Sequence, residues 1–327
     1  MAKRILVFGI FFVLVLSGGY AIDLKHTESF DEFNLTIDIV YYFNVRPEWV
    51  SNTGIFHSGS LGTQIYDLKQ RRNSMLINKM QRVKASIVFK NEEILLLKDN
   101  FAERNNGQEY YIYSFKTKKI YPLDKEGTEQ YLADGGKEYE YYSLVIEEDK
   151  RWEYYLRCYK ITIPNMTSTR MWTENAEEVF QTEIIGRFYL IEQYSDTWLV
   201  EMRQDLYLIQ FDESGVKTSY MIQNNIGTSG VFLKDGRILA SYCPVDEDPF
   251  YRGGEESYLK LAVFNSKGEL EQTIDKEIYV VDGTKMMSIS PDGTKLLVMG
   301  YDKDHDFNND EPPRVLRRLH YVSPAPT

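Results

Sequence analysis

The sequence predicts an all-β fold built from repeated antiparallel hairpins. Aromatic residues make up 14% of the chain, with 25 tyrosines, and aromatic residues favour strands. Residues 286–300 place Pro291-Asp292-Gly293 between two runs of alternating apolar residues. Proline presets φ for a turn and glycine accepts a positive φ, so this segment predicts a hairpin. Sustained helical periodicity is missing, and residues 126–132 and 175–179 predict short helical turns at most.

Two kinds of hairpin alternate along the chain. The inner kind, Ser290-Pro291-Asp292-Gly293, recurs at residues 231–240 and more loosely at 87–96. The outer kind has an aromatic-rich strand, a polar turn and a second strand, and it occurs at residues 111–120, 206–215 and 261–268. Such alternation predicts repeated units of two hairpins, each forming a four-stranded sheet.

The inner hairpin at residues 286–300, with its weaker counterparts, resembles that of a TolB-like or WD-like β-propeller blade. The resemblance implies one β-propeller of four-stranded antiparallel blades. On this register the chain divides into six blades, and the first strand is expected near residues 35–42. A seven-bladed ring is the alternative.

The N-terminus has the pattern of a secretory signal peptide. Lys3 and Arg4 precede an apolar run at residues 5–16, and small residues then lead to Ala21. The run is shorter than the roughly 20 residues that span a bilayer, so we expect cleavage after Ala21. An uncleaved anchor or a core strand is the alternative. Residues 22–327 are then an extracytoplasmic domain, periplasmic, cell-surface or secreted, with no membrane span after cleavage.

The last blade has only three strands in the C-terminal sequence. Propellers remove an open edge by pairing strands from the two ends of the chain. The apolar positions within residues 22–30 therefore predict an N-terminal strand that closes the last blade.

The net charge restricts the kinds of partner that the protein can bind. The formal net charge is −11, and loss of Lys3 and Arg4 makes it −13. Nucleic acid needs a basic surface, and no stretch rich in Lys and Arg supplies one, so the expected partner is a protein or an envelope component.

Cys158 and Cys243 fall in the third and fifth blades, too far apart for a disulfide.

One acidic loop has the spacing of a calcium site. Asp302, Asp304, Asp306 and Asp310 occupy loop positions one, three, five and nine, which resembles the calcium loops of integrin-like propeller repeats. Phe307 and Pro313 depart from the pattern, where glycine and glutamate are expected. A solvated acidic loop is the alternative. Calcium is the single cofactor that the sequence indicates.

A second acidic loop predicts a binding rim. It contains Asp246, Asp248, Tyr251 and Arg252, and like the first it joins the second and third strands of its blade. Neighbouring long loops on one side of a propeller are a common binding surface. The alternative is a polar loop without a partner.

No catalytic residues are identified. The four histidines are scattered, and residues 57–62 lack the G-x-S-x-G spacing of a nucleophile elbow. The sequence therefore favours a non-catalytic binding or scaffold propeller. The alternative is a carbohydrate-active or other hydrolytic propeller enzyme with carboxylates at the central channel.

Overall fold

The structure of the chain is a computed structural model. The described residues are 23–29, 48–59, 62–70, 72–77, 83–89, 94–99, 110–151, 153–184, 188–202, 205–222, 230–242, 260–274, 287–300 and 316–323. Within them the strands form six antiparallel sheets, five with four strands and one with three.

The strands and two helices are numbered in chain order. They are β1 (Asp23–Ser29), β2 (Glu48–Ser51), β3 (Gly54–Gly59), β4 (Gly62–Asp67), β5 (Arg72–Ile77), β6 (Val83–Phe89), β7 (Ile94–Asp99), β8 (Tyr110–Ser114), β9 (Lys119–Pro122), α1 (Lys125–Ala133), β10 (Tyr139–Glu148), β11 (Tyr154–Ile163), β12 (Thr167–Asn175), α2 (Ala176–Phe180), β13 (Phe188–Tyr194), β14 (Thr197–Met202), β15 (Asp205–Asp212), β16 (Gly215–Met221), β17 (Gly230–Phe232), β18 (Ile238–Tyr242), β19 (Lys260–Phe264), β20 (Leu270–Ile274), β21 (Met287–Ile289), β22 (Lys295–Gly300) and β23 (Leu316–Ser323).

Five sheets are meanders of consecutive strands. They are β2–β5, β6–β9, the three-stranded β10–β12, β13–β16 and β17–β20. The sixth joins the two ends of the chain in the order β1-β23-β22-β21. β1 runs antiparallel to β23, with Asp23 opposite Ser323 and Ser29 opposite Arg318. The fourth strand of this sheet thus comes from within residues 22–30, where the sequence predicts a closing strand.

Successive sheets pack face to face. Tyr113 of the β6–β9 sheet contacts Val50 and Phe56 of the preceding one, and Ile112 packs with Ile163 of the following one. Leu156 and Cys158 pack with Trp198 across the next interface. The β13–β16 sheet buries Leu199 and Leu208 against Phe232, and β17 contacts β21.

The last sheet returns to the first. Leu297 packs against Trp49 and Ile55, and the Trp49 backbone N–H donates to Ser288 Oγ at 3.0 Å. The sheets therefore follow one another around a ring.

The Ser290-Pro291-Asp292-Gly293 turn lies between β21 and β22. Gly293 has φ +68°, a conformation that favours glycine, and its N–H donates to Ser290 O at 2.7 Å. The hairpin predicted from Pro291 and Gly293 is therefore present.

Two expectations need correction. The first strand of the β2–β5 sheet is Glu48–Ser51, whereas the strand predicted at residues 35–42 lies outside the described residues. Residues 126–132 belong to the nine-residue helix α1, not to a single turn. Asp124 caps this helix by accepting from Gly127 N at 2.7 Å, and Tyr131 is buried against Tyr121. One buried aromatic and a cap sustain the helix without an apolar stripe.

Candidate functional site: the edge of the three-stranded sheet

The β10–β12 sheet ends at β12. Among the described residues no strand pairs with the outer edge of β12, whereas the other five sheets have a fourth strand. The local sequence explains the difference. Asn175 Oδ1 accepts from Glu178 N at 3.1 Å, so the last residue of β12 is the N-cap of α2.

Helix α2 leads the chain away from the sheet edge. Ala176, Val179 and Phe180 are buried, and the Phe180 ring lies 5.1 Å from that of Tyr207 in the next sheet. Gln181 ends the helix in the left-handed conformation, with φ 55°. The segment that would return as a fourth strand is instead packed between two sheets.

The second half of β12 is anchored to the following sheet. Trp172 Nε1 donates to Asp212 O at 3.1 Å, and Glu174 Oε1 accepts from Val216 N at 2.8 Å. In the pairing with β11, Trp172 lies opposite Cys158 and Arg170 opposite Tyr159, so Met171 is an extra residue in a β-bulge. The bulge separates the anchored half from the first half.

The first half of β12 is exposed. Thr167, Ser168, Thr169 and Arg170 are all solvent-exposed. They pair with β11 on one side, from Thr167 opposite Thr162 to Arg170 opposite Tyr159. A strand at a sheet edge directs alternate N–H and C=O groups outward, where they can pair with another strand.

One face beside this edge carries Arg170. Tyr159, directly opposite Arg170, shares its face and donates its hydroxyl to Glu147 Oε1 at 3.2 Å. Arg157 forms an ion pair with the other oxygen of Glu147. Both carboxylate oxygens of Glu147 therefore have a partner. Arg170 has no ion pair within the described part of the chain.

The other face carries Lys160 opposite Thr169. Lys160 Nζ lies 2.8 Å from Glu140 Oε2, and this hydrogen bond raises the pKa of Lys160. The two faces beside the edge therefore differ, because one has an ion-paired lysine and the other an arginine with its charge available.

The residues predicted as sites from the sequence lie outside the described residues. They are the calcium-loop residues Asp302, Asp304, Asp306 and Asp310 and the rim residues Asp246, Asp248, Tyr251 and Arg252. The described side chains include no group of three or more His, Cys, Asp or Glu placed to hold a metal ion. Neither described helix is long and apolar enough to cross a bilayer.

The β12 edge was not predicted from the sequence. A signal was present, since Thr167, Ser168 and Thr169 suit a strand while Asn175-Ala176-Glu177-Glu178 is a helix start. Together they indicate that this unit ends its sheet one strand early. The helical turn predicted at residues 175–179 lies within α2, and the bulge at Met171 precedes it.

The sequence matches no protein-family model and no curated protein. Among solved structures, it is similar to a chain of a mitotic checkpoint complex, with 11% identity, TM-score 0.50, and coverage of 92% of this chain and 95% of that one. Regucalcin, a calcium-binding protein from Agrobacterium tumefaciens strain C58, gives 11% identity, TM-score 0.46, and coverage of 86% and 92%. Hydrazine synthase from Kuenenia stuttgartiensis gives 12% sequence identity and TM-score 0.44, and the match covers 78% of this chain and 72% of that one.

At such identities these similarities concern the fold alone. The ring of antiparallel sheets and the likeness at TM-score 0.50 define the class of this protein as an all-β propeller. Propellers host many unrelated functions, so the fold alone does not indicate what this protein does.

Proposed function

We propose that this chain is a non-catalytic binding propeller of six blades that holds a partner protein or envelope component outside the cytoplasm. The exposed first half of β12, at the edge of the three-stranded sheet, carries the proposal. Exposed backbone pairing groups on a rigid scaffold form a ready binding surface.

The chain order also relates this edge to the predicted rim. Thr167 follows the connection between β11 and β12, a second-to-third strand connection. Residues 243–259 and 301–315, which hold the rim and the calcium loop, join second and third strands in their own sheets. In a ring of antiparallel meanders these connections share one side. The proposed binding side thus includes Asp246, Asp248, Tyr251 and Arg252 as well as the β12 edge.

Three described carboxylates on inner strands have structural partners, which supports binding over hydrolysis. Glu192 Oε2 on β13 accepts from Phe232 N at 2.8 Å, which ties two neighbouring blades together. On β10, Glu140 pairs with Lys160 and Glu147 with Arg157. A glycosidase requires two carboxyl groups directed at one substrate, whereas each of these has a structural partner.

Site-specific photocrosslinking tests the binding function. A photoreactive amino acid in place of Thr169 should give a discrete adduct in cells that produce the protein. Thr273 is the matched control, since it is an exposed threonine on β20, the outer strand of a four-stranded sheet. Equal labelling at both positions, or no adduct at either, would contradict a binding site at the β12 edge.

The location outside the cytoplasm has its own test. Cell fractionation of the full-length chain with a C-terminal tag should place it outside the cytoplasm, with a mature N-terminus at Ile22. Recovery from the cytoplasm with Met1 retained would refute the location without affecting the crosslinking result.

A further inference from the structure

We propose that the exposed half of β12 accepts an extended segment of a partner protein as a fourth, antiparallel strand, and that this segment carries a carboxylate that pairs with Arg170. This inference rests on the binding function proposed above and names the partner's chemistry. The added segment would take the place that a fourth strand holds in the other five sheets.

The backbone supplies the affinity in this mode of binding. Strand addition uses main-chain hydrogen bonds, and side chains on alternate positions supply specificity. Thr167, Ser168, Thr169 and Arg170 are exposed, while their other edge is paired to β11. The strand is therefore held straight by its neighbour, and the partner alone has to be ordered on binding.

The side chains of this edge suit a further strand. Its three hydroxyl residues include two threonines, which favour β structure, and Pro and Gly are both missing from β12. Natural edge strands are commonly protected by proline, by lysine or by charges directed inward. Here the bulge at Met171 limits the open edge to the first four residues, a length that fits a short peptide segment.

Charged side chains on two other outer strands are already paired. Lys217 Nζ on β16 lies 2.9 Å from Asp212 Oδ2, and Glu271 on β20 lies 3.7 Å from Arg237. Arg170, in contrast, has no acidic partner among the described residues, and Glu147 is already bound to Arg157 and Tyr159. A carboxylate directly across from Arg170, or one position along on the same face, would complete a cross-strand ion pair.

The chain's net charge of −11 opposes an acidic partner only at long range. Exposed charges separated by more than about 8 Å are largely screened at physiological ionic strength. The local cation therefore determines which residue is preferred beside the edge, whereas the overall charge mainly lowers the association rate.

Peptide titration tests the proposal. The probe is a capped, fluorescein-labelled peptide that alternates Val and Thr around one central Glu. It should bind the mature protein by fluorescence anisotropy and protect the amides of residues 167–170 from hydrogen exchange. Arg170→Glu should weaken binding about fivefold, as expected for loss of one exposed ion pair. A peptide with Lys in place of Glu should instead bind the Arg170→Glu variant more tightly than the unmutated protein.

Two controls separate strand addition from charge attraction. Lys217→Glu, which changes the same charge on an outer strand of the next sheet, should leave peptide binding unchanged. Backbone N-methylation of alternate residues on the pairing edge of the peptide should abolish binding, because it removes the N–H donors without changing charge.

Three outcomes would overturn the proposal. They are unchanged binding to Arg170→Glu, full binding of the N-methylated peptide, and dimerisation of the purified chain through β12, which would make a second copy the occupant. If the peptide fails to bind while Thr169 still crosslinks a partner, strand addition is wrong and the binding function stands.

Discussion

At the scale of single residues, Asp292 joins the last blade to the first. Its Oδ1 accepts from Ser290 Oγ at 2.6 Å and from Thr294 Oγ1 at 2.7 Å, while its N–H donates to Asn52 Oδ1 at 2.9 Å. Partial burial opposes ionisation, but the hydrogen bonds from Ser290 and Thr294 lower the pKa of Asp292 to about 2. The ionised carboxylate therefore stabilises the turn, and the backbone N–H of Asp292 makes the contact with Asn52 in the first blade.

This pKa predicts a pH dependence of stability. The folded pKa lies below the unfolded value of about 3.9, so the stabilisation is complete above about pH 4 and is lost as the pH falls towards 2. Asp292→Asn should lower the melting temperature at pH 6, and its difference from the unmutated protein should shrink between pH 4 and pH 2. A difference that stays constant over this range would rule out the ionised carboxylate as its cause.

Cys158 is a buried thiol on β11, and its burial raises its pKa to about 12. It should resist iodoacetamide at pH 8 in the native protein and react after unfolding, since the thiolate is the reactive form.

We also predict no disulfide between Cys158 and Cys243, which the sequence assigns to the third and fifth blades. Non-reducing peptide mapping checks this, and a linked pair of peptides would contradict the assignment of strands to blades.

At the scale of elements, α2 takes the place in the chain where a fourth strand is expected. Phe180 is buried against Tyr207 and Phe188, with ring centroids 5.1 and 6.0 Å away. Phe180→Ala should cost about 3–5 kcal/mol in free energy of unfolding, measured with urea. Leu132→Ala, at a helical residue that is 40% exposed, is the control and should cost less than about 0.5 kcal/mol. Similar losses for both variants would show that α2 is not part of the core.

The acidic loop at residues 302–310 is predicted to bind calcium. Calcium should raise the melting temperature by binding the folded protein at Asp302, Asp304, Asp306 and Asp310. The double variant Asp304→Asn with Asp306→Asn should lose that shift while its calcium-free melting temperature stays nearly unchanged, since solvated charges contribute little to stability. If calorimetry detects no heat of binding at millimolar calcium, the calcium site is wrong and the segment is a solvated acidic loop.

At the scale of the whole molecule, stability depends on joining the two ends of the chain. β1 pairs with β23 over its whole length, so its removal would expose the edge of β23. Deletion of residues 22–30 should therefore lower the melting temperature far more than deletion of residues 324–327. Melting temperatures within one degree of each other would show that the N-terminal strand does not stabilise the ring.

The hairpins could be predicted from the sequence because their signals are local. Gly236 and Gly293 have φ +83° and +68°, as their Asp-Gly turns require, and the flanking residues alternate within a few positions. Turn chemistry and a period of two act within about ten residues of chain, which is short enough to be read directly. Antiparallel strands and their approximate order follow from these signals, whereas the propeller class was implied by the resemblance of the hairpins to known blades.

Contacts between distant residues were decided by the tertiary structure. The contact of Asp292 with Asn52 joins positions 240 residues apart, and no local pattern in the sequence specifies it. The open edge of β12 depends likewise on α2, whose buried residues matter only because Tyr207 and Phe188 lie beside them. The sequence by itself determined most of the segments that become strands, although Glu48–Ser51 was not among them. Only packing determined which sheet ends after three strands, because the position of an edge depends on where the rest of the chain packs.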